Sequence, residues 1–255
     1  MKNRARGRHA KPHRPHRPQW QEIPLLLVAA LLLALVVKTV LLQAFSIPSG
    51  SMQHTLEIND RVLVDKVVYR LRDVRRGEVV VFDGVDDWAS ESDLPAARGW
   101  WQPVLRAAGL SSAGQKDYIK RVIGLPGDRV MCCDAVGQVV VTPDGGRSRA
   151  LDEPYLFEAS DQADPGKYFC NAGRSRPTCP PASQGVLVPA GKLWVMGDHR
   201  GRSADSRAHL SDDHAGTVPI DRVVGRAFLV AWPLDRLTFL GVPRTFGTEP
   251  APTAP

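Results

Sequence analysis

Two serines, Ser49 and Ser51, lie in the stretch "IPSGSMQHTL" (residues 47–56), with a proline before them and a glycine between them. A serine hydroxyl is a poor nucleophile unless a base sits within hydrogen-bond reach. Without a base elsewhere in the chain, these ten residues are an ordinary polar linker. Lys120 is a candidate base. It lies in "YIKRVIGLPGD" (residues 118–128), where strand alternation sets Tyr118, Lys120 and Val122 on one face and Ile119, Arg121 and Ile123 on the other. A strand lysine commonly faces water. Desolvated among apolar neighbours, its pKa would fall and the neutral amine could accept a proton, and serine–lysine pairs are an accepted variant of triad logic. The third stretch, "GDHRGRSADSR" (residues 197–207), is a dense polar loop directly after the apolar "KLWVM", with Ser203 placed to orient the amine.

Other chemistries find little support. His199, His209 and His214 share a region with Asp198, Asp205, Asp212 and Asp213, but neither HExxH nor paired CxxC spacing occurs. No glycine-rich phosphate loop is present, so neither a metal nor a cofactor is expected. Eight of the 33 Lys and Arg precede Ser46, against one of the 27 acidic residues, which leaves the body near neutral. A nucleic-acid-binding domain should carry its positive charge on the folded surface, so that class is set aside.

The elements that must position these residues follow from patterning. Residues 1–22 are rich in Arg, His and Pro and read as a disordered basic tail. Residues 23–45, "IPLLLVAALLLALVVKTVLLQAF", are long enough as a helix to span a bilayer, with Lys38 the single charge. The positive-inside rule keeps the tail cytoplasmic and puts everything after Phe45 outside. A cleaved signal peptide is the rival, but Leu42 stands where a small residue would be wanted. From residue 46 to 245 the patterns are strand-like: 61–69, 78–82, 117–124, 128–132, 138–142, 192–197 and 222–232 are rich in β-branched residues. The body is therefore expected to be mainly β, with insertions at 83–116 and 144–185 and a disordered tail over 246–255. Trp100 and Trp101, in the first insertion, suit either a bilayer contact or packing on the core.

Taken together and in this order, the apolar anchor, "PSGSM" with "TL" following, "RRGEVVVF" (residues 75–82), "DYIKRVIGLPGD" and "GDHRGRSADSR" resemble bacterial type I signal peptidases. The resemblance implies a membrane-bound serine endopeptidase that removes signal peptides after small residues, at Ala-x-Ala sites. It implies a β-rich catalytic core with a second, smaller β lobe, and no cofactor. Ser51 then matches the nucleophile and Lys120 its general base. Ser49 matches the hydroxyl that forms the oxyanion hole with the Ser51 N–H. Ser203 matches the serine that orients the amine, with Asp205 and Arg207 supporting its loop. Ile47, Met52, Tyr118 and Ile119 match the substrate groove. The implied partners are preprotein signal peptides, the lipid bilayer and the nearby export machinery, with no nucleic acid. Two residues depart from the family pattern. His54 stands in place of the usual proline, which predicts a less rigid loop, and His199 in place of the usual asparagine. A self-cleaving serine–lysine protein would need no anchor, and a catalytically dead binding module would not keep all these residue types.

Four cysteines fit an oxidising, extracytoplasmic setting. Cys170 and Cys179 bracket a short loop that a disulfide could close. Cys132 and Cys133 are adjacent and could pair with each other only with strain.

Overall fold

The computed structural model describes residues 19–36, 41–84, 88, 117–132, 134, 138–157, 185–210 and 212–246. Helix α1 covers Gln19–Val36 and therefore begins inside the segment expected to be a disordered tail. Its Ile23, Leu25, Leu26, Leu27, Val28 and Leu31 are exposed. Among the described residues no helix is long and apolar enough to cross a membrane.

The end of the expected span is a strand. Residues Leu42–Ser46 form β1, which pairs antiparallel with β2, Arg61–Asp65, in five register pairs from Leu42↔Asp65 to Ser46↔Arg61. Phe45 is buried in the core with Ile47, Val62 and Val64. A segment that gives a ladder and a core side chain to the sheet cannot also lie in hydrocarbon, so any anchor ends before Leu42. The folded body starts there rather than at residue 46.

β2 is shorter than its β-branched sequence suggests. One carboxylate oxygen of Asp65 accepts the backbone N–H groups of Val67 and Val68, at 2.9 and 3.1 Å. That turn converts the rest of the run into the short helix α2, Val68–Leu71. The following strands are β3 (Val79–Asp83), β4 (Asp117–Gly124), β5 (Arg129–Cys132), β6 (Val139–Thr142), β7 (Arg149–Ala150), β8 (Val186–Leu187), β9 (Lys192–Met196), β10 (Val218–Pro219), β11 (Val223–Trp232) and β12 (Thr238–Phe239). They make two sheets. The larger has the order β1-β2-β11-β3-β4-β9-β10, with β12 on β11, and the smaller has the order β7-β6-β5-β8. The fold is mainly β, as expected.

The second expected insertion is partly structural. Residues 149–150 are β7, and Leu151, Tyr155 and Leu156 are core residues between the sheets, with Ile123, Val130 and Trp194. Phe246, assigned from sequence to a disordered tail, is 6% exposed in the same cluster. Its ring fills the space beside Gly77, where a Cβ would collide with it. Residues 1–18, 89–116, 158–184 and 247–255, which include Trp100, Trp101, Cys170 and Cys179, lie outside the described residues.

Candidate active site

Two antiparallel strand pairings bring the serine to the lysine. β4 pairs with β3 along Asp117–Arg121, with Val80 opposite Lys120. Beyond β1 the ladder continues as a turn: Ile47 N–H donates to the Asp60 carbonyl at 2.9 Å and Asn59 N–H to the Ile47 carbonyl at 2.8 Å. Residues 51–56 then wind through one compact turn, with Leu56 N–H on the Met52 carbonyl at 2.8 Å. This delivers Ser51 Oγ to 2.6 Å from Lys120 Nζ. Both residues are 1% exposed. At that distance a neutral amine can accept the hydroxyl proton directly. Ser49 Oγ is 3.4 Å from Ser51 Oγ.

The polar loop closes over this pair. Backbone N–H of His199 donates to the Ser51 carbonyl at 3.1 Å. Gly197 has no room for a side chain, because a Cβ there would collide with Ser203 and the Ser51 carbonyl oxygen. Ser203 therefore sits against the nucleophile turn. Its hydroxyl donates to Asp205 Oδ2 at 2.6 Å, and the N–H of Gly197 donates to the same oxygen at 2.8 Å. Arg207 reaches Asp205 with Nε and Nη2, both at 2.7 Å. Burial alone would raise the Asp205 pKa. The Arg207 charge and its hydrogen bond, with those from Ser203 and Gly197, outweigh burial and bring it down to about 2.

The four expected groove residues do not share one surface. Ile47 and Met52 are buried, with Ile119 packed against their cluster. Tyr118 lies on the other face of β4. It stacks near Phe82 and Trp88 and donates its hydroxyl to the Trp88 carbonyl at 2.5 Å. Strand alternation accounts for the split. The ladder between β4 and β9 covers Arg121, Val122 and Gly124, after which the chain of β9 turns off toward Ser51.

Residues 20–232 match the family described as signal peptidase, peptidase S26. The chain belongs to that family. It is 36% identical over 241 residues to signal peptidase I of Mycobacterium tuberculosis (strain ATCC 25618 / H37Rv), covering 89% of this chain and 77% of that protein. It is 34% identical to probable signal peptidase I-2 of Synechocystis sp. (strain ATCC 27184 / PCC 6803 / Kazusa), over 90% of this chain and 81% of the relative. Signal peptidase I of Pseudomonas aeruginosa is 30% identical, over 82% and 72% of the two chains. The chain is thus a peptidase of the S26 family.

In this S26 peptidase one buried and multiply bonded side chain near the site, Arg121, is one to which sequence reading gave no role. Arg121, 2% exposed, reaches Asp198 through Nε at 2.8 Å and Nη2 at 2.5 Å, Thr55 Oγ1 at 3.2 Å and the Gly77 carbonyl at 2.8 Å. Burial opposes its charge, but Asp198 more than compensates, so its pKa is raised. Thr55 Oγ1 in turn donates to Asp198 at 2.5 Å. One guanidinium thus joins the nucleophile turn, the polar loop and the start of β3. Behind it, Arg200 and Glu153 form a fully buried ion pair, and the Tyr155 ring lies under Arg121 at 4.5 Å. A signal was available. "KR" inside an apolar strand puts one cation on each face, and a central strand has no wet face to receive either.

Cys132 is disulfide-bonded, to a partner outside the described residues.

Proposed function

We propose that the chain is a membrane-attached serine endopeptidase that cleaves signal peptides from exported preproteins after small residues, with Ser51 as nucleophile and Lys120 as general base. The contact of 2.6 Å between Ser51 Oγ and Lys120 Nζ, with both residues withdrawn from water, carries this reading. Burial penalises the ammonium form, which favours the neutral amine that a base requires. The Ser51 hydroxyl gives its proton to Nζ as Oγ bonds to the scissile carbonyl carbon. The Ser51 N–H and the Ser49 hydroxyl then face the developing oxyanion. The ammonium returns that proton to the leaving amine, and the same lysine activates the water that releases the acyl group. The Ser203 hydroxyl proton is committed to Asp205, so what Ser203 offers an amine is its lone pairs. That would aim the lysine's own lone pair at Ser51, and Arg207 holds Asp205 for the purpose. The substrate adds as a strand alongside residues 117–120, where the β9 ladder has ended, with small side chains entering beside Ile119.

Attachment to a bilayer is supported by two apolar surfaces. One is the exposed row on α1. The other is a rim formed by Ile58, Trp232, Leu234, Leu237 and Phe239, which are 47%, 52%, 67%, 57% and 76% exposed. Arg236, within the rim, pairs with Asp60 at 2.9 Å and fixes it beside the turn that follows the nucleophile. Aromatic and leucine side chains around such a loop suit the headgroup boundary. A basic cytoplasmic tail and an extracytoplasmic peptidase complete the topology. An enzyme and a substrate held on one surface meet by a local search, an effective-concentration gain.

The test is cleavage of a peptide carrying Ala-x-Ala by the detergent-solubilised chain. Ser51→Ala and Lys120→Arg should both abolish cleavage, because arginine keeps the charge but does not deprotonate. The wild-type rate should rise with pH as the amine loses its proton. His199→Asn should remain within about tenfold of wild type, since removing one hydrogen bond and one ring contact costs about 1 kcal/mol. Near wild-type cleavage by Lys120→Arg, with His199→Asn inactive, would sink the assignment.

A further inference from the structure

The nucleophile turn has an anchor unlike the others. Arg121 and Asp198 hold Thr55, and His199 holds the Ser51 carbonyl, all from the larger sheet and its loop. Another anchor comes from residues 151–157, which run between the sheets. His54 Nδ1 is 2.9 Å from the Tyr155 carbonyl oxygen. A carbonyl only accepts, so Nδ1 carries the proton and the ring acts as a donor of fixed tautomer. Protonating Nε2 would leave that bond intact.

Tyr155 is itself immobilised. Its hydroxyl donates to Glu153 at 2.5 Å, and its ring lies beneath Arg121 and against Phe246. Two residues on, Phe157 N–H donates to the Asp198 carbonyl at 3.2 Å while its ring stacks on His199 at 4.2 Å. The 151–157 segment therefore touches both catalytic loops. At His54 the chain also adopts φ +81°, and the His54 N–H donates to Glu57 Oε1 at 3.3 Å. Proline, the usual family residue here, has φ near −65° and no N–H, so it does not fit this turn. The loop is tied down by His54 where the sequence predicts that it is loosened.

We infer that His54 is a positioning residue: its Nδ1–H bond to the Tyr155 carbonyl latches the turn carrying Ser51 onto the 151–157 segment and holds Oγ in reach of Lys120. The inference rests on the serine–lysine reading, so its test must separate the two. His54→Gly keeps the left-handed backbone and removes the bond. His54→Asn tolerates the same backbone and keeps a donor. Each is assayed as the full chain in detergent on the Ala-x-Ala peptide, with rates per active site from titration, across pH.

His54→Gly should lower kcat by about three- to tenfold, the worth of one hydrogen bond, with KM within about twofold. The rise of its activity should also move to higher pH, because a loosened turn admits water to Lys120 and lets the amine keep its proton longer. His54→Asn should restore both. A glycine variant that loses thermal stability but keeps wild-type kcat per active site and the same pH midpoint would overturn the latch. So would an asparagine variant as impaired as the glycine one. If Ser51→Ala cleaves at the wild-type rate, the serine–lysine reading falls and the latch with it. If Ser51→Ala is inactive and His54→Gly is not slowed, only the latch falls.

Discussion

Asp205→Asn should unfold the loop that backs the catalytic pair, at a cost that can be worked from its contacts. The carboxylate has no exposed surface and accepts from Ser203 Oγ, Gly197 N–H and three donors of Arg207: Nε, Nη2 and the backbone N–H. Asparagine offers one acceptor oxygen, and its amide nitrogen must face a donor. It also removes the Asp205 charge that faces the guanidinium of the buried Arg207. Removing one partner of a buried ion pair costs about 3–5 kcal/mol. For a domain of this size that is a fall in Tm of about 6–20 °C.

The pH dependence supplies an independent check. The folded pKa of Asp205 is depressed to about 2 from an ordinary 3.8. Its stabilising effect is therefore complete above the unfolded value, and it is lost as pH falls from about 4 toward 2. That difference is worth about 2–3 kcal/mol. Urea unfolding followed by tryptophan fluorescence should show the full gap between wild type and variant at pH 6 and a gap smaller by that amount near pH 2. A variant within about 1 kcal/mol of wild type at pH 6 would refute the reasoning. A gap that does not narrow in acid would do so equally.

Asp117 behaves in the opposite sense. Burial, and then the Asp83 charge directly across the β3–β4 ladder, raise its pKa to about 6, and its buried Oδ1 has no hydrogen-bond partner among the described residues. Its folded form holds a proton that the unfolded chain has lost, so stability falls as pH rises from about 4 to 6. Asp117→Asn should then stabilise the protein at pH 7.5 by about 1 kcal/mol, allowing for partial exposure, and by little at pH 4. Equal effects in urea unfolding at the two pH values would contradict this. Peptide mapping without reductant should find Cys132 in a disulfide. If Cys170 pairs with Cys179 as the sequence suggests, the bridge within the chain runs from Cys132 to Cys133, and a bridge from Cys132 to Cys170 or Cys179 would exclude the loop-closing pair.

The strands were the most legible part of the sequence, because half-buried strands write their period and their β-branched residues into it. β4 occupies the same residues, Asp117–Gly124, that patterning assigns, and Ser51 and Lys120 are in contact, a pairing that the family resemblance, rather than any pattern, implies. What patterning could not separate was an apolar segment leaving a bilayer from one entering a protein core. Both environments reward the same side chains, so "LQAF" reads as more of the preceding run until β2 is known to pair with it. The 151–157 segment was hidden for another reason. Its value lies in contacts with residues far along the chain, Glu153 with Arg200 and Tyr155 with His54. No local period records such contacts.

Those two illegible elements bear on the same quantity, the placement of Ser51. Between any membrane segment and the nucleophile stands β1, a strand held by five register pairs rather than a flexible linker. A linker would let the serine wander relative to Leu42, whereas a paired strand rises by a fixed amount of about 3.3 Å per residue. The position of Ser51 relative to Leu42 is then set by the sheet. Its orientation toward Lys120 is set by the turn that Arg121 holds from one side and the Tyr155 carbonyl, through His54, from the other. On the proposed attachment to a bilayer, a nucleophile placed in this way shortens the local search for a scissile bond held at the same surface.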